Sequence, residues 1–540
     1  MASPTPALPD VLAALEKKDF TGAQALAIRC LDSGSEHPLL LNLRALWLQS
    51  RGDMERGIAD LRRARDLAPD DLSTLNALGQ ALHQVGRYRQ AREAFDAALA
   101  IDSKFAPAYF NRGMVAESLG RLDMARTSYE GALADAPPFP ELLVRLANLA
   151  SRRGDWPDAR KYADQALAMD PSNVGAGLLR ATADLQEQRF TDAAERLNAS
   201  LAGTDLSAEE RYLLRGAKGD LFHRLRRFDE AFGEYRDGNE QYHQASQPQF
   251  RDRQTASAIV EWMTEYFRKK GPRPAAGAMR TRRNEDPRVH VFLVGFPRSG
   301  TTLVEQALAG HPAVVSLQEH EAFVESGRAF MADAQGLDRL YAQRNEALEP
   351  YRAAYWARVR AMEIKPASKV FIDKLPFHAL MLPVIARLFP EARVLFAVRD
   401  PRDVVLSCLR CRFRLNPYTY ELLRLPDAGR FYAGYMQLSD MLRSMLPLPF
   451  LTIRHEDVVA DFDGRMSEIG AFCGIEWSAS SVQDFAERAS AGLVTTPSGS
   501  QLAAGLSSAG IGQWRNYAEF LQPGMPMLKP WIERFGYDAG

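Results

Sequence analysis

Small and apolar residues return along the first two hundred positions with a period of 34. Gly52, Gly86, Gly120 and Gly154 stand 34 residues apart, and Lys18 and Gln188 occupy the same slot one period to either side. Five residues after this slot come Ala23, Gly57, Ala91, Ala125, Ala159 and Ala193. Seven residues before the glycines come Ala45, Gly79, Gly113 and Ala147, and Ala181 continues that series. Small side chains at fixed slots let two helices approach closely, and a glycine closes the first of them, so the period predicts stacked helix–turn–helix units. About six units fit between residues 5 and 203, and a looser pair ends near Tyr242.

The run from Asn76 to Asp102, NALGQALHQVGRYRQAREAFDAALAID, resembles a tetratricopeptide repeat. Such an array leaves a concave groove, which serves either to bind a peptide or partner or as a spacer or dimerisation element. Beyond it, Thr255 to Phe267 carries Ile259, Trp262, Met263, Tyr266 and Phe267 on one side and predicts an amphipathic helix. Arg268 to Arg288 is basic and rich in Pro, Gly and Ala, the composition of a linker.

After residue 289 the period changes. Short apolar runs at Val289–Val294, Lys369–Ile372, Arg393–Val398 and Phe450–Ile453 alternate with helical stretches. That alternation predicts a mainly parallel, doubly wound sheet with its ligand at the C-terminal strand ends. The chain thus divides into an all-α solenoid over 5–243, a connector helix and basic linker over 244–288, and an α/β domain over 289–540.

The first strand leads into Gly295–Gly300 and then into a helix over Thr301–Leu308. A strand, a glycine-bounded loop and a helix N-terminus make an anion cradle from backbone amides and the helix dipole. The spacing Gly295-x-x-x-x-Gly300 is that of a P-loop, but Thr301 and Thr302 stand where a nucleotide triphosphatase has Lys then Ser or Thr. Arg298, inside the loop, supplies the cation instead. The other candidate residues also follow strands: Asp373 and Lys374 after the second, Arg399-Asp-Pro-Arg402-Asp403 with Ser407 after the third, and Arg454-His455-Glu456-Asp457 after the fourth.

The bulk properties narrow the classes. An apolar content of 46% with 25% charged residues is that of a folded globular protein, and a net charge of −1 gives no basic field for nucleic acid. Cys30, Cys408, Cys411 and Cys473 are too few and too scattered for a disulfide framework, which suits the reducing cytoplasm. Cys408-x-x-Cys411 has no second pair and reads as buried thiols, so no metal is expected. No apolar run is long enough to span a membrane, and no secretory signal is read at the N-terminus.

Pro297-Arg-Ser-Gly-Thr-Thr302, His311-Pro312 with Glu319, Asp373-Lys374, and Val398-Arg-Asp-Pro-Arg-Asp403 with Ser407 together resemble the sulfotransferase signature set. The likeness is to protein-tyrosine sulfotransferases and to bacterial sulfotransferases that carry tetratricopeptide repeats. It implies transfer of a sulfuryl group from 3′-phosphoadenosine 5′-phosphosulfate to an acceptor hydroxyl, protein tyrosine being one candidate, without an essential metal. On this resemblance Arg298, Ser299, Gly300, Thr301 and Thr302 hold the 5′-phosphosulfate, and Arg399 and Ser407 hold the 3′-phosphate. Arg298 and Lys374 stabilise the charge that grows on the bridging oxygen. Glu319 is the expected base, with His320 and Glu321 as alternatives. Ser498, in Thr496-Pro-Ser-Gly-Ser-Gln501, resembles a serine near the sulfate, and the stretch 495–512 reads as a lid. Gln513 and His455 depart from the tyrosine-directed pattern, which has lysine and tyrosine there, so they leave the acceptor and part of the donor contacts open. Two rival readings are a P-loop kinase and a repeat scaffold whose α/β domain is inactive.

Overall fold

The computed structural model describes residues 7–251, 254–272, 284–477 and 508–538. Ser498 and the greater part of the expected lid lie outside the described residues. The chain forms two compact units, Met1–Leu149 with Ala361–Glu363, and Ala150–Arg360 with Ile364–Gly540.

Helices from Leu8–Glu16 to Phe190–Leu201 alternate with tight turns at the predicted slots. Gly52, Gly86, Gly120 and Gly154 have φ between 69° and 82°, and Lys18 and Gln188 adopt the same left-handed geometry at 58° and 60°. Arg226 does so at 60°, two residues before helix Phe228–Phe250, which marks the looser pair as a hairpin of the same design. The small residues are packing contacts. Ala23, Ala91, Ala125, Ala159 and Ala193 are fully buried. A side-chain carbon at Gly79 would stand 2.4 Å from Phe95, at Gly113 2.3 Å from Tyr129, and at Gly219 2.4 Å from Tyr235. Each glycine therefore makes room for an aromatic ring sixteen residues on. Within the first unit, Asn76, Phe110, Asn111, Met114 and Phe139 line a groove of about 540 Å³. The Asn111 side-chain amide donates to Asn76 Oδ1 across it at 2.8 Å.

In the second unit five parallel strands lie in the order β2-β3-β1-β4-β5. They are β1 (Val289–Gly295), β2 (Val314–Ser316), β3 (Val370–Lys374), β4 (Arg393–Val398) and β5 (Phe450–Arg454). β1, β3 and β4 are buried along almost their whole length, as continuous apolar runs covered on both faces should be. Asp373 and Lys374 close β3 rather than following it. β2 has no counterpart among the sequence expectations. At three residues on a sheet edge it carries too little pattern to be read. The connector helix is Ala256–Lys270, capped by the Thr255 hydroxyl, which accepts from Ala258 N at 3.3 Å.

Helices Ala208–Arg224 and Phe228–Phe250 pack on the α/β domain. Asp220 pairs with Arg412 at 2.8 Å, Asn239 donates to the Leu409 carbonyl at 3.0 Å, and Phe232 stacks on Phe520 with ring centroids 4.5 Å apart. Among the described residues no helix is long and apolar enough to cross a membrane.

The repeat geometry predicts two opposite outcomes in urea unfolding. Gly113→Ala pushes a methyl into the buried Tyr129 ring and lowers stability by about 1–3 kcal/mol. Gln188→Gly relieves a left-handed residue and raises stability by about 1 kcal/mol.

Candidate active site

Three positive backbone angles shape the loop between β1 and helix Thr301–Ala309: 151° at Gly295, 69° at Arg298 and 94° at Gly300. A side-chain carbon at Gly295 would lie 2.5 Å from the Ala397 carbonyl oxygen, its register partner on β4. One at Gly300 would lie 2.5 Å from His455 Nδ1. Close approach thus requires glycine at both ends. Arg298 takes the strained geometry without glycine's freedom, at a cost on the order of 1 kcal/mol. The Tyr435 hydroxyl sits 2.9 Å from the carbonyl oxygens of both Gly295 and Pro376 and fixes the loop's entrance.

The loop turns Arg298 towards helix Pro401–Arg410, where its Nε donates to Ser407 Oγ at 3.0 Å. Arg399, just past β4, donates to the Arg298 carbonyl at 3.3 Å and to the Gly510 carbonyl. Arg298, Arg399 and Ser407 therefore meet in one place. Burial presses the Arg399 guanidinium below its ordinary pKa despite Asp403 and Glu456 nearby, and Arg298 adds to the fall. Burial, then Arg399, pushes His455 down to about 3, so this imidazole is neutral beside the loop. Ser299 Oγ and Arg399 Nε are buried with no hydrogen-bond partner among the described residues. A buried hydroxyl and a buried guanidinium nitrogen left over beside a helix N-terminus fit an oxyanion ligand.

On the neighbouring strand, Lys374 ends β3, fully buried, with Nζ 2.6 Å from Glu319 Oε1 and 3.2 Å from Glu305 Oε2. Glu319 is on the loop after β2 and part-exposed, whereas Glu305 is fully buried in helix Thr301–Ala309. Ser316, the last residue of β2, donates its hydroxyl to Glu305. Burial raises the Glu305 pKa; Lys374 and Ser316 oppose the shift and Glu319 adds to it. His320 is pushed down by burial and by Lys374. Glu321 turns elsewhere, accepting from Phe323 N at 2.7 Å and lying 3.4 Å from His378 Nε2.

Beneath Lys374 runs a buried polar chain. His378 Nδ1 is 3.0 Å from Asp373 Oδ1, the Tyr355 hydroxyl donates to Asp373 Oδ2 at 2.7 Å, and His290 Nε2 meets that hydroxyl at 3.0 Å. Burial alone would lower the His378 pKa, but Asp373 and then Glu321 outweigh it and raise it to about 10. Burial drives His290, at the far end, down to about 3.

The Arg399–Asp403 motif divides its work. Only Arg399 reaches the loop. Arg402 pairs with Asp400 at 2.8 Å and lies 3.6 Å over the Trp514 ring. Asp403 accepts from Gly512 N at 2.6 Å and Trp514 N at 2.8 Å, tying residues 510–514 down beside Arg399. Gln513 accepts from Arg410 at 2.6 Å, and the Tyr517 hydroxyl lies 2.8 Å from His223 on helix Ala208–Arg224.

Sequence reasoning missed Glu305, Ser316 and the tethering role of Asp403. Glu305 had a usable signal: it stands four residues after Thr301, one turn deeper on the same helix face, among Leu303, Val304, Ala307 and Leu308. Ser316 had none, because its strand was not legible.

Residues 290–479 match the model of the Sulfotransferase family, and 36–104, 76–139 and 144–208 match tetratricopeptide-repeat models. An uncharacterized protein of Aquifex aeolicus (strain VF5) is 20% identical over 404 residues, 73% of this chain and 51% of that protein. Protein-tyrosine sulfotransferase 2 of Gallus gallus is 30% identical over 204 residues, 35% of this chain and 52% of its own length. Protein-tyrosine sulfotransferase 1 of Danio rerio is 25% identical over 269 residues, 46% and 72% of the two chains. The chain thus spans about half the length of the first two relatives. Two solved repeat structures are also similar. YrrB, a TPR protein with an unusual peptide-binding site, is 18% identical with a TM-score of 0.29, covering 34% of this chain and 91% of that one. A tetratricopeptide repeat protein from Parabacteroides merdae ATCC 43184 is 13% identical with a TM-score of 0.34, covering 43% and 91%.

The buried chain under Lys374 makes stability depend on pH. The His378 pKa is raised in the folded protein, so its stabilisation is complete below about 6.5, where the unfolded imidazole is also protonated. It is lost as pH climbs towards about 10. The excess unfolding free energy of the wild type over His378→Gln should therefore shrink steadily across that window in urea titrations.

Proposed function

We infer sulfuryl transfer from 3′-phosphoadenosine 5′-phosphosulfate to a hydroxyl for this chain, whose residues 290–479 belong to the sulfotransferase family behind an array of tetratricopeptide repeats. The observation that carries the reading is the placement of two cationic groups at neighbouring strand ends. Arg298, Arg399 and Ser407 converge at the loop, and Lys374 faces Glu319 at the neighbouring strand end. The nucleotide carries a phosphate on its ribose and a phosphosulfate at its 5′ end; the first group has cations for both anions, and Lys374 of the second adds one for the bridging oxygen.

In this reading the amides and hydroxyls of Ser299 to Thr302, with Arg298, bind the 5′-phosphosulfate, and Arg399 with Ser407 binds the 3′-phosphate. The donor supplies an electrophilic sulfur. Glu319 takes the proton of the acceptor hydroxyl as its oxygen bonds to that sulfur, and the sulfur's bond to the bridging oxygen breaks with its electron pair staying on the phosphate. Lys374 and Arg298 stabilise the negative charge that collects on the bridging oxygen, an interaction stronger in the transition state than before it. Glu319 is favoured over its neighbours because it alone of the three carries a hydrogen bond to Lys374, while Glu321 is engaged with His378. Ser498, outside the described residues, keeps the sulfate-side role that the resemblance gives it.

The acceptor we propose is a tyrosine in a protein or peptide. The Gallus gallus and Danio rerio relatives carry protein-tyrosine in their names. The polar and aromatic groove of the repeats, with Asn76, Asn111, Phe110 and Phe139, suits a peptide occupant. A cytoplasmic setting agrees with four cysteines, none of them in a disulfide.

Calorimetry with adenosine 3′,5′-bisphosphate tests the donor assignment. The wild type should bind without magnesium, and Arg399→Ala should lose about 10- to 100-fold in affinity, the worth of a charge-assisted phosphate contact. Absence of wild-type binding, or unaltered binding by Arg399→Ala, overturns the reading. With heavy-sulfur donor and a tyrosine peptide panel, Glu319→Gln should cut kcat by about 100- to 10,000-fold with little change in donor affinity.

A further inference from the structure

We propose that Glu305 is a positioning residue for the transfer step: its buried carboxylate holds the Lys374 ammonium in place when Glu319 leaves that ammonium to accept the acceptor's proton. The inference rests on the donor reading above.

The argument begins with the burial of Lys374. Its ammonium has no solvent exposure, and two carboxylates stand within ion-pair distance of it. Glu319 is the exposed one, on a loop, and in the reaction it turns from the ammonium to the acceptor hydroxyl. At that moment a buried cation on the end of a four-carbon stem would have neither solvent nor a carboxylate beside it, an arrangement that strongly disfavours the charge. Glu305 removes that difficulty. It is fully buried, on the helix whose N-terminus completes the anion loop, and does not need to move. The Ser316 hydroxyl at the end of β2 fixes its other oxygen. One carboxylate thereby links the loop helix, the edge strand that leads to Glu319, and the strand that ends in Lys374.

Helix position supports the same role. Glu305 stands one turn behind Thr301, so the helix that offers its first amides to the donor also fixes the distance between those amides and the ammonium. Shortening or neutralising Glu305 leaves the amides where they are and frees the lysine. The groups facing Glu305 are Lys374 on β3, Ser316 on β2 and Glu319 beyond it; His320 lies near the last of these and near Lys374. Its raised pKa gives the test a second readout. Protonation of Glu305 should contribute to the wild type's loss of kcat in acid, and that contribution should be missing from Glu305→Gln.

The experiment compares full-length wild type with Glu305→Gln in three measurements: binding of adenosine 3′,5′-bisphosphate, kcat and KM for the sulfated donor, and the acid limb of log kcat against pH. The expected result is unchanged nucleotide binding, a fall in kcat of at least about tenfold with donor KM within about twofold, and an acid limb less steep than the wild type's. A variant with wild-type kcat, or with an acid limb as steep as the wild type's, overturns the inference while wild-type nucleotide binding keeps the donor reading intact. Failure of the wild type to bind the nucleotide overturns the donor reading, and the inference with it. Should Glu305→Gln fail to fold, as judged by its melting curve, Ser316→Ala takes its place. That change keeps the carboxylate but frees it, so kcat should fall by about threefold or more at unchanged donor KM, and an unchanged kcat overturns the inference.

Discussion

A fully buried ammonium at the end of a central strand is the constraint around which the α/β domain is arranged. A lysine with no solvent exposure is stable only where carboxylates meet it, and here they arrive from two other elements, a helix and the loop after an edge strand. Each carboxylate in turn needs its own support. The Ser316 hydroxyl serves Glu305, and β2 exists as a strand where it places that hydroxyl. Directly beneath, Asp373 is held by Tyr355 and His378, so the strand end cannot slide without breaking a chain of buried hydrogen bonds. The left-handed Arg298 and the glycines on either side carry the same logic to the loop after β1, where conformational strain is accepted as Arg298 reaches Ser407.

The repeats and the three central strands were legible because their signals are local and strong. The slot glycines sit at left-handed angles, and the apolar runs at Val289, Arg393 and Lys369 became strands buried on both faces. Lys18 and Gln188 show that the period, rather than the residue, sets the backbone, since neither residue would be chosen for that angle alone. β2 was not legible, since a three-residue edge strand borrows its geometry from its neighbour.

In the site, the residues that touch the loop were readable from their places after strands, while those that act through another residue were not. Arg399 and Ser407 were singled out by the strand-end pattern and the family likeness, and both contact Arg298. Asp403, four residues beyond Arg399, read as one more polar residue of the same motif, although it is the tether for Gly512 and Trp514, more than a hundred positions later. Such partners depend on tertiary closure, which no window of sequence contains. The pairing of helix Ala208–Arg224 with Tyr517, Arg410 and Arg412 belongs to the same class.

The bond from Arg399 to the Gly510 carbonyl has a consequence for how an anion would approach. A peptide oxygen carries only a dipole, so the charges that offset the guanidinium are those of Asp403 and Glu456, and its Nε keeps an unused donor. An anion at the loop would exchange that dipole contact for a charge-assisted hydrogen bond, roughly twice as strong as a neutral one.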